Sequence, residues 1–141
     1  MLNWNNLSDT LECVDSFQQS DYTNLSVWVL TNDSREDPST ALYERHPGVR
    51  VLRNTRNMGY GAGSNSGLRR AIDAGPAYVL LLNNDVIVAP DTVRRLVMAA
   101  EADARIAMAT PRVFYYERPT EVYWDGGTID SETGATPPRI R

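Results

Sequence analysis

The chain has 141 residues, 42% of them apolar and 23% charged, with a net charge of −4 and a pI near 4.9. That is the profile of one globular domain with room for a real core; the acidic balance and scattered arginines argue against a nucleic-acid footprint. No apolar run is long enough to cross a bilayer, no signal peptide is expected from the opening residues, and Cys13, the only cysteine, allows no internal disulfide and fits a reducing compartment.

In chain order, Met1 to Trp4 has the character of the tail of a strand that begins before Leu2. Leu7 to Gln19 carries Leu7, Leu11, Val14 and Phe17 at helical spacing, with Ser8 as the expected N-cap. Leu25 to Leu30 (LSVWVL) is a strand, followed by the polar turn-forming loop TNDSREDPS. Pro38 to Glu44 fits a short helix. His46, the only histidine, stands beside Pro47 and Gly48 and is expected to be a solvated loop residue. Val49 to Leu52 is a short strand, and NTRNMGYGAGSNSG is expected to be a glycine-rich loop leading into a helix over Ser66 to Ala74. Tyr78 to Leu82 is the next strand, Pro90 to Ala104 a helix, and Ile106 to Thr110 a further strand. After Pro111 the sequence reads as a loop or hairpin, ending near Pro137-Pro138.

Strands alternating with helices on short connections predict a three-layer α/β/α domain around a mostly parallel sheet. The nearly continuous apolar strands VWVL and YVLLL fit a sheet covered on both faces. The domain is expected over residues 1–110, with 111–141 as a loop or hairpin tail.

Two segments carry candidate chemistry. Gly59, Gly61 and Gly63 precede a helix, so their backbone amides could approach an anion at its N-terminus; a flexible turn needing positive φ explains them equally. A dinucleotide fingerprint would require the loop after the first strand, and here it follows a later one. In YVLLLNNDV an apolar run breaks into Asn83, Asn84 and Asp85. Asp85 at a strand's carboxyl end could supply a carboxylate to Mg²⁺ or Mn²⁺, or the triplet could form an Asx-type turn.

Taken together, LNWNNLSDTLECVDSF, LSVWVLTNDSREDPS, NMGYGAGSNSGL and YVLLLNNDVIVAPDTVRRLV resemble, in order and spacing, the family-2 glycosyltransferases of the GT-A fold. These are inverting enzymes that use nucleotide sugars, and the resemblance is closest to the rhamnosyltransferase-like branch. It implies a Rossmann-like nucleotide-binding half with Asn3, Trp4 and Asn5 at the base. The second strand's usual Asp-Asn-x-Ser appears as Thr31-Asn32-Asp33-Ser34, with Thr31 in place of the acid that contacts the base and Asp33 as a conceivable substitute. Asn57, Gly59, Asn65 and Gly67 correspond to residues lining the nucleotide site, and Ser64 stands where Arg is common. Asn83 and Asn84 would belong to the donor site, with Asn83 towards the ribose and diphosphate and Asp85 as the ligand of Mg²⁺ or Mn²⁺.

The resemblance also implies partners and gaps. The donor would be a dTDP- or UDP-sugar and the acceptor a glycan or lipid-linked hydroxyl in polysaccharide biosynthesis. The setting would be cytoplasmic, at the inner face of the membrane, with a homodimer as one arrangement. The first strand is expected to start upstream and the acceptor half with its general base to follow the tail, so the chain would be truncated at both ends. Asp125 in WDGG is better explained as a turn residue than as that base. Two other functions stay in play: a donor-binding remnant without a base, and a dinucleotide-dependent oxidoreductase built on the glycine loop.

Overall fold

The computed structural model describes residues 1–136; the Pro137-Pro138 end of the tail lies outside them. The elements are β1 (Leu2–Asn3), α1 (Leu7–Gln18), β2 (Trp28–Asn32), α2 (Ser39–Arg45), β3 (Arg50–Asn54), α3 (Gly59–Asp73), α4 (Thr92–Ala102), β4 (Val113–Tyr115) and β5 (Arg118–Trp124). They fall into two compact units, one over Met1–Arg94 and a second beginning at Arg95, a division that falls within α4.

In the first unit β1, β2 and β3 form a parallel sheet in that order, with Leu2 opposite Leu30 and Leu30 opposite Leu52. On the other side of β1 a single parallel bridge joins Leu2 to Asn83. The spatial order is therefore β3, β2, β1, Asn83. The chain moves outward from β1 through β3 and then returns across β1, so its direction along the sheet reverses there.

That reversal explains the layers. Parallel neighbours need crossover helices of one hand, and reversing direction places the next helix on the opposite face. Val14 of α1 and Leu42 of α2 pack with Val29 of β2 and with Val49 in one buried cluster. On β2's other face, Leu30 and Asn32 meet α3 at Gly67 and Gly63, as strand alternation requires. The cluster supplies the apolar burial that holds the sheet, about 1.5–3 kcal/mol for each fully buried aliphatic side chain.

Several local expectations are corrected. Helix α3 begins at Gly59 and not at Ser66, so the glycine-rich stretch forms its first two turns. Glycine disfavours helix by about 1 kcal/mol, but close approach decides here. A Cβ on Gly63 would lie 3.0 Å from the Asn32 side chain, and one on Gly67 would lie 3.1 Å from Leu30 Cδ2. The cap of α1 is Asn6 rather than Ser8, its Oδ1 accepting from Asp9 N–H. His46 is buried and not solvated, with Nε2 2.7 Å from Asp15 Oδ1; Asp15 also pairs with Arg45, so α1 and α2 are tied at this point.

Tyr78 to Leu82 carries no ladder, and Tyr78, Val79, Leu80 and Leu81 are exposed. In the register Leu2–Asn83 these residues run beyond the reach of β1, which pairs only over Leu2–Asn3. Ile106 to Thr110 likewise forms no strand. In the second unit β4 and β5 make an antiparallel hairpin, with Tyr115 and Tyr123 edge to face at 5.3 Å and Arg118 over the Tyr115 ring.

Candidate functional site

The carboxyl ends of β1, β2 and β3, with Asn83 beside them, converge on one cleft. Open α/β sheets bind ligands at this edge, where the strand order reverses. The cleft has a volume of about 390 Å³, within the range of small-molecule sites. Trp4 follows β1, Asn32 ends β2, Asn57, Gly59 and Tyr60 lead into and open α3, and Asn83, Asn84 and Asp85 follow the apolar run; Leu2 completes the lining. The parallel register of Leu2 with Asn83 brings Trp4 and Asp85, each two residues further on, to the same edge.

Two tight loops fix the rim. Asn5 and Asp33 both have left-handed φ, 55° and 60°, a conformation that Asn and Asp tolerate better than most residues. Ser34 Oγ accepts from Asn5 N–H at 3.1 Å and donates to Asn3 C=O at 3.3 Å, while Asn5 Oδ1 accepts from Arg35 N–H at 2.8 Å. The turns after β1 and β2 are thereby locked to each other, and Trp4 lines the cleft beside them, 55% exposed.

Asn32 uses its whole side chain within the fold. Its Nδ2 donates to Asn57 Oδ1 and Gly59 C=O, and its Oδ1 accepts from Asn54 Nδ2 and Met58 N–H. An Asn amide has two donor hydrogens and two acceptor lone pairs, so none is left for a ligand. Asn57 Oδ1 also takes the Gly59 N–H at 2.8 Å, and Ser66 Oγ donates to Asn54 Oδ1 at 2.7 Å. This network clamps the start of α3 to β2 and β3.

The opposite wall is tied to α1. Asn84 Nδ2 donates to Thr10 Oγ1 at 2.8 Å and to Asn6 C=O at 3.3 Å. Val88 N–H donates to Ser16 Oγ at 3.1 Å, and the Cys13 thiol lies 3.9 Å from Asn83 C=O. Burial pushes that thiol up to about 11, with Asp85 adding in the same direction. Held between the anchored Asn84 and Val88, the Asp85 side chain stays exposed in the cleft. Asn83 also lines the cleft, its Oδ1 accepting from Tyr60 OH at 2.9 Å.

Of the residues singled out in the sequence, the structure gathers Trp4, Asn32, Asn57, Gly59, Asn83, Asn84 and Asp85 around one space. Asn3 and Thr31 are buried in the sheet, and Asn5 and Ser34 form the rim lock. Asn65 is exposed on α3 outside the lining, and Gly67 faces Leu30. Leu2 and Tyr60 line the cleft and were not singled out. Tyr60 had a visible signal, an aromatic residue between Gly59 and Gly61 in the first turn of α3.

Among the described residues no group of three or more His, Cys, Asp or Glu is placed to hold a metal ion. Asp85 is the one carboxylate in the cleft lining. A single carboxylate suits a hard cation that takes most of its oxygen ligands from water and a phosphorylated substrate. No helix among the described residues is long and apolar enough to cross a membrane.

The parallel sheet between two helical layers and the cleft at its reversal point define a Rossmann-like α/β domain of the GT-A kind. Residues 1–132 match the family model described as glycosyl transferase family 2, and the chain belongs to that family, whose members transfer sugars. No curated protein matches the chain. Among solved structures it is similar to S. aureus TarS 1-349, with a TM-score of 0.63 and 16% identity, over 82% of this chain and 38% of that one. The likeness is one of fold, and the chain spans well under half of that structure's length.

Proposed function

We propose that this chain is the donor-binding part of a glycosyltransferase that holds a nucleoside-diphosphate sugar, dTDP- or UDP-linked, with Mg²⁺ or Mn²⁺. The sugar would pass to an acceptor hydroxyl with inversion, and rhamnose is the donor sugar that the branch resemblance suggests. The observation that carries this reading is the position of Asp85, a lone carboxylate at the carboxyl edge of the sheet, in a cleft otherwise lined by uncharged residues, most of them amides and aromatics. When bound, the cation would neutralise the charge that develops on the departing diphosphate.

The chain's own residues have separable tasks in this reading. Trp4 offers an exposed ring at the cleft for stacking a base. Asp85 would hold the cation, leaving its remaining positions to water and the diphosphate. Asn83 faces the ribose and diphosphate. Asn32 and Asn57 contribute through the clamp on α3.

The oxidoreductase reading loses its support because the glycine-rich stretch opens the helix after β3 and not the one after β1, where a dinucleotide fingerprint belongs. A thermal-shift screen separates the two. Stabilisation by UDP or dTDP only in the presence of Mn²⁺ or Mg²⁺ is the expected result. Stabilisation by NAD without metal would overturn the proposal.

A further inference from the structure

The two walls of the cleft are joined by one hydrogen bond between side chains that both line it. Tyr60 opens α3, which the Asn32 clamp fixes to β2 and β3. Asn83 ends the apolar run, and its neighbour Asn84 is fixed to α1. Tyr60 OH donates to Asn83 Oδ1 at 2.9 Å across the space between them. Both residues are exposed, so burial does not hold the pair together, and the anchored backbones on either side keep the two groups within reach.

This bond selects what Asn83 can offer. A carboxamide has an acceptor end and a donor end. With Oδ1 directed to the phenol, the end left to the cleft is Nδ2, a pair of N–H donors. Donors complement oxygen acceptors such as those of a diphosphate or a ribose hydroxyl; they repel a cation. Asp85, two residues along, has the opposite character as a carboxylate that only accepts.

We infer that Tyr60 is a positioning residue for the donor site: it orients the Asn83 amide so that Nδ2 donates to an oxygen of the bound nucleoside diphosphate, leaving the cation to Asp85. The inference rests on the donor-site reading above. It assigns a task to a residue that neither the glycine pattern nor the Asn-Asn-Asp triplet accounts for. It also divides labour within the triplet, with Asn84 anchoring, Asn83 donating and Asp85 holding charge.

A double-mutant cycle tests it, because a residue acting through another has no effect once that other is gone. The probe is whichever of UDP and dTDP binds the unmodified chain more tightly with Mn²⁺ in calorimetry, with inorganic pyrophosphate as a second probe lacking ribose. Tyr60→Phe, which keeps the ring, is expected to weaken binding about three- to tenfold, the worth of one hydrogen bond. In an Asn83→Ala background the same change should cost nothing further. Loss with pyrophosphate as well assigns the acceptor oxygen to the diphosphate, and loss with the nucleotide alone assigns it to the ribose.

An equal cost of Tyr60→Phe in both backgrounds would overturn the inference and mean that Tyr60 meets the ligand directly. A second readout needs no ligand. The side-chain ¹⁵N–¹H₂ signals of Asn83, identified by their disappearance in Asn83→Asp, should shift in Tyr60→Phe, and their persistence unmoved would refute the bond. If neither nucleotide binds the unmodified chain while those signals do shift, the donor-site reading fails and the contact stands without it.

Discussion

At Asn32 four hydrogen bonds converge on one side chain, and its neighbour Asp33 is exposed in a left-handed turn. Truncating the first should therefore be felt throughout the start of α3. Asn32→Ala leaves the amides of Asn54 and Asn57, the Met58 N–H and the Gly59 carbonyl to find other partners, and unpaired buried polar groups cost about 1–3 kcal/mol each. A loss of at least about 2 kcal/mol in urea unfolding is expected, since part of the network can turn to solvent. Asp85 is the converse case. It is exposed and flanked by anchored residues, so Asp85→Ala should change stability by no more than about 0.5 kcal/mol. The sequence pointed to Asp85 through its place at a strand end and to Asn32 through the family resemblance. It could not show that Asn32 is saturated, because the partners come from β3 and α3, more than twenty residues away.

Among the elements, α3 departs most from its local sequence. Four glycines between Gly59 and Gly67 argue for a loop on propensity, and the helix forms because small residues let it lie against β2. Two substitutions separate propensity from packing. Gly61 has open space at its Cβ position, so Gly61→Ala should stabilise by up to about 1 kcal/mol through helix propensity alone. At Gly63 the added methyl would lie 3.0 Å from an Asn32 side chain that four hydrogen bonds hold in place. Gly63→Ala should therefore destabilise, by about 1–3 kcal/mol as overpacking does. Thermal unfolding of the pair checks both signs. The burial of His46 was hidden for a similar reason: its partner Asp15 lies on α1, thirty-one residues earlier. Helices α1 and α4 lie within a few residues of where apolar spacing puts them, and α2 within one residue of where its Pro-Ser opening does.

For the whole first unit, strand–helix alternation correctly predicted a parallel sheet covered on both faces, since crossovers leave little choice of topology. It did not predict the lone bridge at Asn83 or the exposed Tyr78–Leu81 run, because apolar content announces a strand without naming what pairs with it. Cys13, fully buried beneath Asn83, reports on the integrity of this unit. Its thiol is raised by burial from 9.0 to about 11, so the folded state holds that proton more tightly than the unfolded state. The stability it contributes is present below about pH 9 and is lost as the pH rises towards about 11. Urea midpoints should fall over that window, and less steeply in Cys13→Ala. A thiol reagent at pH 8 should label Cys13 only on unfolding.

The proposed role of the cleft at the sheet's carboxyl edge, holding a nucleoside diphosphate through a cation on Asp85, can be checked by isothermal titration of UDP and dTDP. The unmodified chain and Asp85→Ala are compared with and without Mn²⁺. Mn²⁺-dependent binding to the unmodified chain and its loss in Asp85→Ala are expected, with the unfolding transition of the variant unchanged. Equal Mn²⁺-dependent affinity in the two proteins would contradict that role.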